Sequence, residues 1–450
     1  MPNPFRTLSL VITTLCSTGL MTLASAADTT APKAPLIATT AAAPVATSSA
    51  SNATNTGVVN PIWQQYMVPP APDVDAKAFV LMDDASGMVI GAKNPNLPLE
   101  PASLTKLMTA YLVFNELAAG RIHLTDEVAI SKEAWKTGGS RMFAQVGAKI
   151  PLEALIQGSV IQSGNDATVA LAEYVGGTEA AFVEMMNHQA QLLGMKDTHY
   201  MDASGLPAPN HVATAYDLAL LAQAIINNFP QYYHYFGEKW FVWNNIRQPN
   251  RNRLLWRNIN VDGLKTGHTD AAGFCLISSA KQGDSRFISV VMGAPTEPLR
   301  VNDSQALLNY AFRYFQSQKI YNANDVILQR RVWGAKEKMI SLGVKHDFAI
   351  AIPRNAAPDL KVTLSINPNI SAPIVKNQQL GSINVYVKDQ LVASQPLVAL
   401  ADNARANWFA RFMDAIAHFF SKLFGKSAST EIIVSGPGST APTTNGLNRV

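Results

Sequence analysis

Ser103-Leu104-Thr105-Lys106 places a hydroxyl and an amine three residues apart. On a helix that spacing puts both side chains on one face, within reach of each other. A neutral amine can take the hydroxyl proton, and the N-terminus of a helix favours the alkoxide that develops. The pair is a candidate nucleophile and base. Standing alone, the string also fits a chance occurrence in a long chain, and Ser103 also fits a plain helix N-cap. Two later strings sharpen the reading. Ser163-Gly164-Asn165 lies between two helical stretches, where its side chains can enter a cleft, and Lys265-Thr266-Gly267 stands just before a strand.

Short strings of this kind recur. Lys136-Thr137-Gly138 is a second K-T-G, and Ser365-Ile366-Asn367 and Ser382-Ile383-Asn384 are further S-x-N strings. Order and context choose among them. Ser103 and Lys106, then Ser163 and Asn165, then Lys265, follow in the serial arrangement of penicillin-recognising serine enzymes. Lys136-Thr137-Gly138 precedes the S-x-N and adjoins Gly139-Ser140, so it reads as a loop. The extra S-x-N strings fall on expected strands of a separate β domain. There is no H-E-x-x-H, no C-x-x-C and no G-x-S-x-G, and the eight histidines are scattered. No metal and no cofactor is expected.

The elements that must hold these residues are legible as changes of period. Residues 79–82 and 88–90 flank Asp83-Asp84-Ala85-Ser86-Gly87, a hairpin signal. Apolar side chains then recur at spacings of three and four over 103–119, with Gly120 as a stop. Helical patterns follow over 151–162, 165–174, 178–193 and 214–228. Strands are expected over 274–280 and 287–292, and a last helix over 303–316. Strands at both ends with helices between indicate an α/β or α+β domain over 76–318.

Beyond Lys319 the period is two. Phe348, Ile350 and Ile352 alternate, as do Leu360, Val362, Leu364 and Ile366, then Ile383, Val385 and Val387. This predicts a small all-β domain over 319–402. Residues 403–426 return to helical period. Trp408, Phe409, Phe412, Met413, Ile416, Phe419, Phe420, Leu423 and Phe424 share one face, with Arg405, Arg411, Lys422 and Lys426 mostly off it. That pattern suits a helix lying in a membrane interface, or one packed on the β domain or on a partner. Residues 427–450 read as a disordered tail.

The N-terminus has the marks of export. Arg6 precedes an apolar stretch over 8–23 that falls short of the ~20 residues a membrane span needs, and Ala24-Ser25-Ala26 suits signal peptidase. Residues 1–26 are therefore expected to be a signal peptide and 27–75 an Ala/Thr/Pro-rich linker. Removing the signal removes Cys16. Cys275 then remains alone among apolar neighbours and reads as buried packing, so no internal disulfide can form. The chain has 450 residues, 48% hydrophobic and 15% charged, which is too apolar for general disorder. A formal net charge of only +4, with no long basic run, gives no indication of nucleic acid as a partner.

With those motifs in place the chain resembles the low-molecular-mass penicillin-binding proteins that are D-alanyl-D-alanine carboxypeptidases, of the penicillin-binding protein 5 and 6 type. The resemblance runs from about Ala76 to Lys426. It rests on Pro101-Ala102-Ser103-Leu104-Thr105-Lys106-Leu107-Met108-Thr109, on Gln162-Ser163-Gly164-Asn165-Asp166-Ala167, and on Val261-Asp262-Gly263-Leu264-Lys265-Thr266-Gly267-His268-Thr269. Asn250-Arg251-Asn252 and an amphipathic helix after a β domain are also family-like. The resemblance implies a β-lactamase/transpeptidase-like catalytic domain with a central antiparallel sheet. It implies Ser103 as the acylated nucleophile, Lys106 as general base, and Ser163 and Asn165 as proton relay and substrate clamp. Lys265 would tune the site, Thr266 and Gly267 would lie on the substrate strand, and the N–H groups of Ser103 and His268 would form the oxyanion hole. Arg251, or else Arg300, would pair with the terminal carboxylate.

The implied reaction removes terminal D-Ala from peptidoglycan pentapeptide stems, with β-lactams acylating the same serine. The implied location is the periplasmic face of the inner membrane, with the C-terminal amphipathic helix as a peripheral anchor. The linker is longer than the family usually shows, and the tail runs past the anchor helix. A serine β-lactamase would share the three motifs, but a class A enzyme also needs a Glu-x-x-x-Asn loop, which the stretch around 198–210 lacks. A D,D-endopeptidase would carry the same motifs and differ in which D-Ala amide it cuts. A non-enzymatic cell-wall binding protein would keep the fold without the reaction, but the intact Ser103, Lys106, Ser163, Asn165 and Lys265 argue against it.

Overall fold

Alternation in the first strand explains the layering. The structure, a computed structural model, describes residues 61–409, 411–416 and 431–434. In the strand Ala78–Asp83, Ala78, Val80 and Met82 face one apolar core, while Phe79 and Leu81 face a second. Side chains of a strand point alternately to opposite faces, so a strand buried at every position must be covered on both. The sheet it belongs to is antiparallel throughout. Its order is Val89–Lys93, Ala78–Asp83, Ser285–Ala294, Gly273–Gln282, Val261–Thr269.

The helices Lys106–Ala118, Leu152–Val160, Asn165–Gly176, Glu179–Leu192 and Ala215–Asn228 cover one face. Lys106–Ala118 is the central one, buried at ten of its thirteen positions. That leaves its first turn nowhere to go but into a protein-lined site. The helix Glu297–Tyr314 covers the other face. Sequence period placed this helix over 303–316. It starts earlier because Thr296 caps it, accepting from Leu299 N, and Pro298 fits its first turn. It ends earlier because Phe315–Tyr321 is a strand, paired with Phe348–Pro353 of the β domain.

The β domain is built on a six-stranded antiparallel sheet. Its order is Leu328–Arg331, Met339–Gly343, Gln390–Ala399, Gln379–Val387, Leu360–Ile366, Glu431–Val434. Its inward residues, among them Val362, Leu364, Ile383 and Val385, join the same core as Phe79 and Leu81.

Two expectations need correction. The linker reading over 27–75 fails at its end: Pro61–Gln64 is helical, and Ile62, Trp63, Tyr66 and Val68 are buried in the core shared with the β domain. Tyr66 Oη donates to Asp359 Oδ2 at 2.7 Å, and Tyr310 Oη donates to Pro69 O at 2.8 Å. The surrounding Ala, Pro and Thr hid four apolar anchors. The tail reading over 427–450 fails at 431–434, which pair as a strand with 362–365. The expected signal peptide at 1–26 and residues 417–430 of the expected helix and tail lie outside the described residues.

Of the helix expected over 403–426, residues 408–409 and 411–416 are helical, but 403–407 are not: Asn403 bridges to Ile374 and Arg405 to Ala335, which ties this stretch to the β domain as extended chain. Trp408, Phe409, Phe412 and Met413 are exposed. Asp414, on the opposite side, is buried: it accepts from Lys338 Nζ at 2.7 Å and from Gly334 N at 3.0 Å. Among the described residues, no helix is long and apolar enough to cross a membrane.

Candidate active site

The nucleophile turn is a 3-10 turn, Ala102–Thr105, running into the helix Lys106–Ala118. Ser103 makes no side-chain capping bond, so its hydroxyl is not engaged as an N-cap. Lys106 Nζ donates to Ser103 Oγ at 2.9 Å and to the Ser204 carbonyl at 2.6 Å. Ala102 carries φ +47° and Ser163 φ +66°. A non-glycine residue in that region costs about 1–3 kcal/mol, and both strained positions lie at the two serine–lysine contacts.

Ser163 lies between two helices that share an apolar core, as the sequence suggested. Its Oγ accepts from Lys265 Nζ at 2.9 Å, and Lys265 also donates to its neighbour's carbonyl, Thr266 O, at 3.0 Å. Lys265 reaches the site from the edge strand Val261–Thr269. This strand lies against the nucleophile turn, and Gly267 permits it: a Cβ there would sit 2.9 Å from Pro101 O and 3.3 Å from Ala102 Cβ. Asn165 Nδ2 donates to Gly138 O at 2.7 Å, while its buried Oδ1 has no partner among the described residues.

Electrostatics divide the two lysines. Both are buried. Burial pushes Lys106 down to about 7; Asp202 and Asp166 pull against it, and Arg251 adds to it. Burial, joined by the charges of Lys106, Arg251 and Arg300, holds Lys265 well below the usual lysine range. A buried amine near 7 is available as a neutral base at ordinary pH. Cys275 is a free, buried thiol that burial pushes up to about 11, which leaves it a poor nucleophile.

The two arginines part company. Arg251 is exposed, between Asn250 and Asn252, which are buried. Asn250 Nδ2 donates to Phe236 O, and Asn252 Nδ2 donates to Gly263 O on the edge strand. Those two bonds fix the turn that presents Arg251. Arg300 is buried and donates to Gly267 O at 3.2 Å, bracing the end of the same strand. His268 is exposed and stacks on Phe274 with ring centroids 4.0 Å apart; the Arg300 guanidinium lies over the same ring.

Several residues of the site were given no role by the sequence reading. Asp166 accepts from Met142 N and Ala144 N, and so fixes the 137–146 loop beside Ser163 and Asn165. Gly138 belongs to the K-T-G read as a loop; it is one, and its carbonyl holds Asn165. Ser204 serves through its carbonyl, which any residue type supplies. The signal for Asp166 was its place in the string Gln162-Ser163-Gly164-Asn165-Asp166-Ala167.

Comparison with known proteins agrees with this geometry. The family pattern described as D-alanyl-D-alanine carboxypeptidase matches residues 65–296, and that described as penicillin-binding protein 5, C-terminal domain, matches 315–405. D-alanyl-D-alanine carboxypeptidase DacC of Escherichia coli (strain K12) is 41% identical over 363 residues, covering 79% of this chain and 91% of that protein. The structure of penicillin binding protein 5 from Haemophilus influenzae is similar at a TM-score of 0.69 and 38% identity, covering 75% of this chain and all of that one. Penicillin-Binding Protein D2 from Listeria monocytogenes, solved in an ampicillin-bound form, is similar at a TM-score of 0.50 and 29% identity, covering 54% of this chain and all of that one. A serine–lysine pair on a buried helix, a second such pair facing it and an all-β domain behind them thus sit in a chain that belongs to the D-alanyl-D-alanine carboxypeptidase family of penicillin-binding proteins.

Proposed function

We propose that the family's serine carboxypeptidase activity runs in this chain through Ser103. The observation that carries the reading is the pairing of two hydroxyls with two buried amines: Lys106 Nζ to Ser103 Oγ and Lys265 Nζ to Ser163 Oγ, each at 2.9 Å. Neutral Lys106 takes the Ser103 proton as Oγ attacks the carbonyl carbon between the two D-Ala residues of a peptidoglycan stem. The C–N bond breaks, and the leaving D-Ala amine collects, by way of the Ser163 hydroxyl, the proton that Lys106 took from Ser103, while Lys265 holds that hydroxyl in place. Water then hydrolyses the Ser103 ester with the same groups in reverse. The N–H groups of Ser103 and His268 hold the oxyanion. Asn165 Oδ1, an acceptor without a partner among the described residues, takes a stem amide N–H. Thr266 and Gly267 line the strand along which the peptide lies. Arg251, at the rim, takes the terminal carboxylate; Arg300, engaged with backbone, serves from behind.

A β-lactam presents a strained amide to the same serine and acylates it. The ampicillin-bound form of the Listeria monocytogenes relative supports this. Export by residues 1–26 and seating on the periplasmic face of the inner membrane by residues 403–426 complete the reading. The exposed row Trp408, Phe409, Phe412 and Met413 supports the second part.

The test is incubation of the mature protein with a fluorescent penicillin and, separately, with a pentapeptide ending in D-Ala–D-Ala. The reading requires a covalent label lost on Ser103→Ala and free D-Ala as product. No label on Ser103 would sink it. Label without D-Ala release would point instead to a binding role.

A further inference from the structure

The segment 197–213 does more than close the cleft behind Lys106. It is pinned at its base by two backbone bridges, His199 to Val212 and Ala213 to Leu99, the latter just upstream of the nucleophile turn. At its tip, Asp202 Oδ1 accepts from Gly205 N at 2.6 Å, Ser204 N at 2.7 Å, Ser204 Oγ at 3.0 Å and Leu206 N at 3.3 Å. Its Oδ2 lies 3.2 Å from His211 Nδ1, and His211 Nε2 lies 3.0 Å from Thr105 Oγ1. A carboxylate only accepts, so Nδ1 carries the proton that faces Asp202. Gly205 is pressed against the nucleophile turn; a Cβ there would fall 1.8 Å from Ala102 O. Thr109 Oγ1 donates to Ala203 O at 2.7 Å, so the first turn of the Lys106 helix grips the same loop.

We propose that Asp202 and His211 are positioning residues for Lys106: they hold the Ser204 carbonyl on one Nζ–H so that the amine's lone pair is aimed at Ser103, and the Asp202 charge sets when that lone pair becomes free. The inference rests on Lys106 being the base for Ser103. Asp, His and Thr here have the order of a nucleophile triad, but Thr105 and His211 are both buried and offer no path to a substrate. Their use is structural and electrostatic. A neutral amine has two N–H donors and one lone pair, so across the 2.9 Å contact with Ser103 Oγ, where the ammonium donates, the neutral amine accepts from the Ser103 hydroxyl. Fixing one donor on Ser204 O restricts the rotation of the group that must abstract the proton. Charges face Lys106 from four elements: Asp202 from this loop, Asp166 from the helix Asn165–Gly176, Arg251 from the turn after residue 249, and Lys265 from the edge strand. Asp202 is the strongest counterweight to burial among them. Burial works to raise the Asp202 carboxyl, but the His211 bond and the Gly205 and Ser204 amides outweigh it and hold it down to about 2, so the charge is present throughout the working range.

The test is the pH profile of the second-order rate of Ser103 acylation by a fluorescent penicillin, in the full mature protein and two variants. Asp202→Asn keeps an acceptor for the three amides and removes the charge. Its acid limb is expected about one pH unit lower, with a plateau about tenfold below the parent. Asp202→Glu keeps the charge and moves it off the amides. It should leave the limb in place and lower the plateau about tenfold. Thermal unfolding of both establishes that they are folded, and the Glu variant decides the matter should the Asn variant not fold. An unmoved limb in folded Asp202→Asn, or a limb shifted equally in both, overturns the proposal. Acylation that survives Ser103→Ala would instead overturn the catalytic reading beneath it, so the two failures are distinguishable.

Discussion

Lys265 Nζ donates to Ser163 Oγ across 2.9 Å, although the two residues lie 102 positions apart in the chain. Neither side chain means much by itself. Their meeting, beside the Lys106–Ser103 pair, brings two scattered strings into one site, where the proposed proton transfers would run.

Activity should be lost as pH falls through neutrality. Lys106 is depressed to about 7 by burial, and it abstracts a proton only in its neutral form, so the base is available above that value and absent below it. The acid limb of kcat/KM for D-Ala release should titrate near pH 7, and it belongs to the coupled pair Lys106 and Lys265 rather than to one lysine. A flat profile between about pH 5 and pH 9 would contradict this assignment.

Lys106→Arg should be as damaging as Lys106→Ala. A guanidinium keeps the positive charge but does not deprotonate in a protein. Both variants should acylate with a fluorescent penicillin roughly 10³-fold more slowly, or worse, within the roughly 10²–10⁴ that general base catalysis supplies. Retention of near-parental acylation by the arginine variant would mean that Lys106 acts by charge alone.

Asp166→Ala should loosen the 137–146 loop and Asn165 with it. The buried carboxylate accepts from Met142 N and Ala144 N, and removing it strands both amides. A cost of about 2–3 kcal/mol in denaturant unfolding is expected, with a raised KM. Unchanged unfolding would show that the loop is held elsewhere.

Trp63→Ala should destabilise the protein by about 3–5 kcal/mol although it lies far from the chemistry in sequence. Trp63 is 1% exposed in the core shared by the catalytic sheet and the β domain. Denaturant unfolding is the measurement, and an effect under about 1 kcal/mol would refute the anchoring role.

A chain ended after Asn407 should stay in the aqueous phase with vesicles of anionic lipid, while the longer chain floats with them. Both should label equally with penicillin, since Trp408 to Met413 lie outside the catalytic domain. Equal partitioning of the two would remove the membrane role of residues 403–426.

How much of this was legible depended on whether the signal was local. Ser103 and Lys106 share a turn, so their spacing alone announced them. The helices Glu179–Leu192 and Ala215–Asn228 showed through period, and in the structure Thr178 and Thr214 cap them by side chain. Alternation revealed the β domain. The edge strand Val261–Thr269 was recognised through its K-T-G, not through any pattern of its own. Asp202 and His211 stayed invisible because their roles arise from loop geometry, and Ser204 acts through a backbone carbonyl. The anchors Ile62, Trp63, Tyr66 and Val68 were diluted by prolines and threonines around them. Arg251 was placed ahead of Arg300 only by resemblance; the structure separates them by burial.

The short strand Glu431–Val434 has a consequence for proteolysis. It completes the row of hydrogen bonds along Leu360–Ile366, which among the described residues has Gln379–Val387 on its other side. A cut between residues 416 and 431, followed by loss of the fragment, would leave alternate amides and carbonyls of 362–365 facing solvent. Such an edge is a template for a neighbouring chain. Nicked protein would then be prone to associate side by side, so its quality as a preparation depends on an intact C-terminus as much as on an intact active site.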